Sequence, residues 1–294
     1  MPETLPKEVF KKVRELEVRT RGLVNNIFSG EYHSAFKGKG MEFAEVREYQ
    51  FGDDVRAIDW NVSARRDDVF IKVYEEEREQ TLMILFDASG SGMFSTAHQS
   101  KRDLAAEICA TFAFSAIKNN DKVGLIIFTD SIEKFVAPRK GRTHVLRILR
   151  EIFFFKPKGK TTNIAAALDF ATRALKRRAI VFLVSDLMDS QYIEKMKLIN
   201  KKHDFVVIHI TDPREFSLPQ VGLLELEDAE TGECYLVDTF DEAFLKSYES
   251  RMLQIHANRK AQLQRLQIDM VQVSTDRSYI KPLTNFFRQR ELRQ

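Results

Sequence analysis

The chain has 294 residues, 44% of them apolar and 30% charged, with 12 Gly and 7 Pro. That suits one large globular domain or about two, and it excludes fibrous and Pro/Gly-rich disordered chains. The 46 Lys and Arg against 43 Asp and Glu leave a net charge of +3, too mild to argue for nucleic acid by itself.

Residues 7–28 space Val9, Val13, Leu16, Val18 and Leu23 as one apolar stripe, which predicts a helix. Gly-rich turns follow at Ser29-Gly30 and Gly38-Lys39-Gly40. From Met41 to Glu79 turn signals such as Gly52-Asp53-Asp54 separate short β-prone runs such as VFIKVY. Residues 1–79 are therefore expected to form an N-terminal helix and an extended β-rich arm packed on a main domain at 80–294. Within the arm, Arg47, Asp53, Asp54, Arg56 and Asp59 are expected to pair internally, with Trp60 as an apolar anchor.

From Thr81 onward strands and helices alternate. TLMILFD, KVGLIIF, AIVFLVSD and DFVVIHI are continuous apolar runs, as strands buried on both faces should be. Helical patterns over 98–118, 142–155, 163–177 and 190–201 separate them, with SIEKFVAP as a further neighbouring strand. The predicted class is α/β, a doubly wound, mostly parallel sheet flanked by helices. GLLELED and CYLVD then read as a hairpin around Glu230-Thr231-Gly232-Glu233. Thr239-x-x-Glu242 reads as a capping box opening a helix to about Leu266. DMVQVST is a last strand, and KPLTNFFRQRELR a short basic helix.

Cys109 and Cys234 lie too far apart for a disulfide framework, which favours a reducing compartment. The N-terminal MPETLPKEVFKKVRELEV is too charged for a signal peptide. The uncharged runs AIVFLVS and CATFAFSAI fall well short of the roughly 18 residues of a spanning helix. A cytoplasmic location without direct membrane insertion is expected.

Ligands of open α/β sheets bind at the C-terminal strand ends. There the first buried strand ends in Asp87-Ala88-Ser89-Gly90-Ser91, and a later one ends in Asp186. Lys158-Gly159-Lys160-Thr161-Thr162-Asn163 leads into a helix start. Small Ala88 and Gly90 let a tight turn aim Asp87, Ser89 and Ser91 at one point. Two carboxylates with hydroxyls are hard oxygen donors, suited to Mg²⁺ most, with Mn²⁺ or Ca²⁺ as alternatives. Such a low-charge set leaves a coordination position for an outside carboxylate.

The D-x-S-x-S turn, the Thr before a helix and the Asp ending a later strand resemble the metal-ion-dependent adhesion site of von Willebrand factor type A domains. That resemblance implies Asp87, Ser89, Ser91, Thr162 and Asp186 as the metal set. Thr162 is preferred over Thr161 because Thr162-Asn163-Ile164 with Ala166-Ala167-Leu168 resembles the family pattern. Across residues 30–210, FAEVREY, GDDVRAIDW, Ser63-Ala64-Arg65 and Glu75-Glu76-Glu77 resemble the "domain of unknown function 58" family. That family joins such an arm to a type A domain. The resemblance implies a bacterial setting beside MoxR-type AAA+ ATPases and a role in protein assembly or maturation.

The expected function is thus a non-enzymatic, metal-dependent protein-binding adaptor, whose partner is a MoxR-type ATPase or another acidic protein ligand. A metal-dependent phosphatase would need a second Asp two residues after Asp87, where Ser89 stands. Nucleic-acid binding has one aromatic-basic candidate, Phe286-Phe287-Arg288, better read as helix packing. Gly159-Lys160-Thr161 lacks the earlier Gly of a nucleotide-binding phosphate loop. The basic residues Arg139, Lys140, Arg142, Lys156, Lys158 and Lys160 form either a solvated rim or a surface that steers an acidic partner.

Overall fold

The computed structural model describes residues 36, 41–66, 68–76, 79–94, 99–228 and 230–293; the helix expected over 7–28 lies outside the described residues. Contacts divide the described chain into two compact units, 36–80 and 81–294.

In the smaller unit β1 (Met41–Glu48) pairs antiparallel with β2 (Phe70–Glu76), with a register shift between Phe43 and Glu45. Of the internal pairing expected from its charges, the Arg47–Asp53 pair is present. Arg47 donates from both Nη atoms to Asp53, each at 2.8 Å. Asp54 caps the turn Val55–Ala57, while Asp59 caps the turn Trp60–Ser63 and lies 3.6 Å from Lys72 Nζ. Trp60 is not the buried anchor expected of it, because its ring is exposed at the head of that turn.

The larger unit is built on a six-stranded sheet, ordered β10-β7-β6-β3-β4-β5. Its strands are β3 (Thr81–Asp87), β4 (Lys122–Phe128), β5 (Ile132–Arg139), β6 (Ile180–Ser185), β7 (Asp204–Thr211) and β10 (Asp269–Ser274). Every pairing is parallel except the edge pair β4–β5. The antiparallel edge needs only a short turn, whereas each parallel step needs a helical crossover.

The crossover and flanking helices are α1 (Lys101–Lys118), α2 (Arg142–Phe154), α3 (Ile164–Ala174), α4 (Ile193–Lys202), α5 (Glu242–Arg265) and α6 (Ile280–Glu291). Alternation along the strands sends side chains to both helical layers. On one face Met83, Leu85, Val181, Leu183 and Val207 pack with Ile164 and Leu168 of α3, Met196 and Ile199 of α4, and Leu263 of α5. On the other, Phe182 stacks on Phe112 of α1 with centroids 4.1 Å apart, and Phe112 meets Phe287 of α6 edge-on at 6.4 Å. Burying each such side chain contributes about 1.5–3 kcal/mol. That explains why the central strands read as unbroken apolar runs.

The hairpin expected around residues 230–233 is present as β8 (Leu223–Glu227) and β9 (Cys234–Asp238), and it forms a separate two-stranded sheet. The capping box expected at Thr239 is not formed. Asp241 caps α5 instead, accepting from the backbone of Ala243 and Phe244. Thr239 is buried, and its Oγ1 accepts from Val221 N at 2.8 Å and donates to Gly222 O at 2.7 Å, closing the base of the hairpin. Among the described residues no helix is long and apolar enough to cross a membrane.

Candidate functional site

Strand order reverses around β3, because the chain steps from β3 to β4 on one side and returns to β6 on the other. The crevice at this reversal opens at the C-terminal strand ends, where Asp87 ends β3 and Asp186 follows β6.

The first turn is held tightly. Asp87 Oδ1 accepts from Ser89 N at 3.0 Å, Asp87 Oδ2 accepts from Ser185 Oγ at 2.6 Å, and Ala88 N donates to Phe128 O at 2.9 Å. Ser89 Oγ and Ser91 Oγ are buried and 3.1 Å apart. The Thr loop is tied to this turn by Gly90 N donating to Lys160 O at 2.8 Å. It is tied to β4 by Asn163 N donating to Thr129 O at 2.8 Å. Glu133 of β5 accepts from Lys158 N and Gly159 N at 2.9 and 3.0 Å and from Thr129 Oγ1 at 2.7 Å. Gly159 is tightly enclosed, since a Cβ would stand 2.5 Å from Thr129 Oγ1 and 2.6 Å from Asp130 Oδ1 and force them to shift. Asn163 then caps α3, accepting from Ala166 N at 2.9 Å.

Asp186 is buried and carries a partner that its sequence neighbourhood does not announce. Lys101 Nζ, at the first position of α1, lies 2.5 Å from Asp186 Oδ2 and 2.5 Å from Glu215 Oε1. Glu215 is fixed in turn by a capping box with Asp212. The next residue, Leu187, takes φ 59 with its side chain in the core, a left-handed conformation that costs about 1–2 kcal/mol outside glycine. Its N–H donates to Ser185 Oγ at 2.9 Å, so the strained turn presents both Ser185 and Asp186 to the crevice.

Thr162 is half-buried whereas Thr161 is exposed. Thr162 Oγ1 donates to Glu230 Oε1 at 2.6 Å. The structure thus joins Asp87, Ser89 and Ser91 in one turn, sets Asp186 beside them, and places Thr162 on an adjoining loop tied to that turn.

The electrostatics are those of a carboxylate excess. Burial, reinforced by the Asp186 charge, pushes the Asp87 carboxyl up to about 7 against the Ser185 and Ser89 hydrogen bonds. Burial opposes the Lys101 charge, but Asp186 and Glu215 outweigh it and hold the lysine above its ordinary value. Glu215 is raised, mainly by burial, despite Lys101. Arg259 meets Asp186 at its backbone and not its carboxylate, with Nη1 3.4 Å from Asp186 O and 3.4 Å from the His209 ring at Nε2. Burial first, then Arg259, push His209 down to about 3, so the imidazole is neutral at ordinary pH.

The oxygens present suit a hard divalent cation. Neighbouring oxygens on a Mg²⁺ octahedron of about 2.1 Å radius stand about 3 Å apart, which the Ser89–Ser91 separation matches. Asp87, Asp186 and Glu215 outnumber the one lysine among them, an acidic excess that a divalent ion would balance. Among the described residues no group of three or more His, Cys, Asp or Glu side chains is placed to hold a metal. An ion here would therefore depend on hydroxyls, and soft or strongly chelated metals do not fit.

Sequence reasoning missed Lys101, Ser185, Glu215 and Glu230. Lys101 left one weak signal, since a cation in the first turn of a helix opposes the helix dipole unless an anion answers it.

The fold is a doubly wound, mostly parallel α/β sheet flanked by helices. Residues 45–258 match the family model described as "Protein of unknown function DUF58", and the chain belongs to that family. It is 32% identical over 223 residues to the uncharacterized protein Mb1516 of Mycobacterium bovis, covering 75% of this chain and 70% of that one. Among solved structures it is similar to BatB from Bacteroides thetaiotaomicron, at 16% identity and a TM-score of 0.46, over 72% of this chain and 98% of that one. It is also similar to the SpRpn10 VWA domain, at 14% identity and a TM-score of 0.40, over 71% and 94% of the respective chains.

Proposed function

We propose that the larger unit is a non-enzymatic protein-binding module that recognises its partner through a divalent ion, Mg²⁺ first. Asp87, Ser89, Ser91, Thr162 and Asp186 would hold the ion, directly or through water. When bound, the ion supplies Lewis-acid attraction for a carboxylate of the partner. The observation that carries this reading is the buried hydroxyl pair of Ser89 and Ser91, 3.1 Å apart beside an unbalanced pair of carboxylates. The resemblance of the Asp87–Ser91 turn, the Thr162 loop and Asp186 to the type A adhesion site supports protein interaction.

The resemblance of the arm motifs supplies the partner class, a MoxR-type AAA+ ATPase acting with this chain on the assembly or maturation of other proteins, on the cytoplasmic side. The absence of an acid two residues after Asp87 disfavours phosphoryl transfer, because the hydroxyl of Ser89 is a poor general acid near neutral pH.

The test is binding of the intact chain to the purified MoxR-type ATPase of the same organism, with Mg²⁺ and with excess chelator. Binding is expected only with Mg²⁺, and Ser89→Ala should weaken it. Equal affinity under both conditions would contradict the reading.

A further inference from the structure

The hairpin β8–β9 belongs to the larger unit but not to its sheet, and one residue of its turn reaches the site. Glu230 Oε1 accepts the Thr162 hydroxyl proton at 2.6 Å across a separation of 68 residues. A hydroxyl has one proton and two lone pairs. With the proton given to Glu230, the Thr162 lone pairs remain available to face a cation.

The turn is built to present this carboxylate. Asp228 Oδ1 accepts from Glu230 N at 2.8 Å and Thr231 N at 3.0 Å, and Gly232 at φ 74 closes the loop with its N–H on Asp228 O at 2.7 Å. The base is pinned by Thr239 on Val221 and Gly222. Between these two ends the strands are poorly covered, and Leu223, Leu236 and Tyr235 are exposed. A two-stranded hairpin is only marginally stable alone, so the tip contact is well placed to govern its position.

Charge points the same way. From Val221 to Leu245 the sequence contains carboxylates and no Lys or Arg, whereas the loop leading to Thr162 carries Lys156, Lys158 and Lys160. The acidic tip and the basic loop attract each other as an acidic partner and that loop would.

We propose that the β8–β9 hairpin is a built-in ligand of this site. Glu230, held on Thr162, blocks the approach by which a partner's carboxylate reaches the ion, and an acidic partner binds once the hairpin lifts away. The inference rests on the metal-site reading above and adds to it a regulation: the site is self-occupied until the hairpin is displaced.

The test uses the whole chain and two probes, Mn²⁺ and glutarate. Cys234 on β9 is exposed and Cys109 is fully buried, so a nitroxide reagent labels the hairpin selectively. Mn²⁺ binding, nitroxide mobility and glutarate affinity in the presence of Mn²⁺ are compared in the unsubstituted chain, Glu230→Gln and Asp87→Asn. Glu230→Gln is expected to retain Mn²⁺, to mobilise the nitroxide, and to bind glutarate about tenfold more tightly, because the competing internal carboxylate is gone. Asp87→Asn is expected to lose Mn²⁺. Mobility and glutarate affinity unchanged by Glu230→Gln, with Mn²⁺ still lost in Asp87→Asn, would overturn the hairpin inference and leave the metal reading standing. Unchanged Mn²⁺ binding in Asp87→Asn would overturn both.

Discussion

Two ionic clusters lie at opposite ends of the same sheet, the one at the strand ends the more deeply buried. At the strand starts, Asp204 of β7 and Asp269 of β10 are bridged by Arg290, which lies 2.7 Å from Asp269 Oδ2 and also pairs with Asp204, while Arg293 adds a contact to Asp269 at 3.3 Å. Two carboxylates meet two guanidiniums, and a planar fork satisfies both acids at once. At the strand ends, Asp87, Asp186 and Glu215 meet Lys101 alone, a single point charge between two of the three. The first cluster is closed and serves to fix α6 against the sheet edge. The second is left short of positive charge, and its neighbours are hydroxyls rather than apolar groups. The more exposed cluster is thus balanced in charge, and the more buried one is the richer in acidic groups.

Removing the cation from each cluster breaks the comparison most sharply. Lys101→Met should cost about 3–5 kcal/mol, since it strands the buried Asp186, and Arg290→Met about 1–3 kcal/mol, since Asp204 and Asp269 are only partly buried. Urea unfolding should then separate them. Mg²⁺ should restore part of the stability of Lys101→Met, by replacing the lost charge, and none of that of Arg290→Met. Equal indifference to Mg²⁺ would erase the distinction.

The pH dependence comes next in size. The Asp87 carboxyl is raised to about 7 in the folded protein, so the folded state keeps a proton that the unfolded chain releases near pH 4. Its contribution to stability is full below about pH 4, falls as pH rises towards about 7, and is flat above, a loss of the order of a few kcal/mol. Denaturation curves of the metal-free protein minus those of Asp87→Asn should show that slope. Saturating Mg²⁺ should flatten it, because the ion then balances the carboxylate.

Much of the architecture was legible because it depends on local composition. The runs TLMILFD, AIVFLVSD and DFVVIHI could only be strands covered on both faces, and they form the centre of the sheet. The Asp87–Ser91 turn was legible for a similar reason, as its small residues and oxygens are contiguous. Partner choice over distance was not. Lys101 finds Asp186 at a separation of 85 residues and Glu215 at 114, and nothing beside Lys101 in the chain specifies either acid. The start of α5 failed on competition between neighbours. Thr239 and Asp241 both suit a cap, and Thr239 was drawn off by the backbone of Val221 and Gly222.

The smallest effect concerns the loop that carries Thr162. Gly159→Ala places a methyl against Thr129 and Asp130, so the loop must shift, at a cost of about 1–3 kcal/mol. Thermal unfolding should report that loss, and the Mg²⁺ affinity should fall with it as Thr162 moves off the turn. An unchanged affinity would show that Thr162 is not part of the ion's surroundings.

The most direct measurement is a calorimetric titration of Mg²⁺ into the intact chain and into Asp87→Asn at pH 7.5. One saturable binding event per chain is expected in the first and none in the second, with both proteins folded by circular dichroism. Indistinguishable titrations of the two proteins would contradict the account.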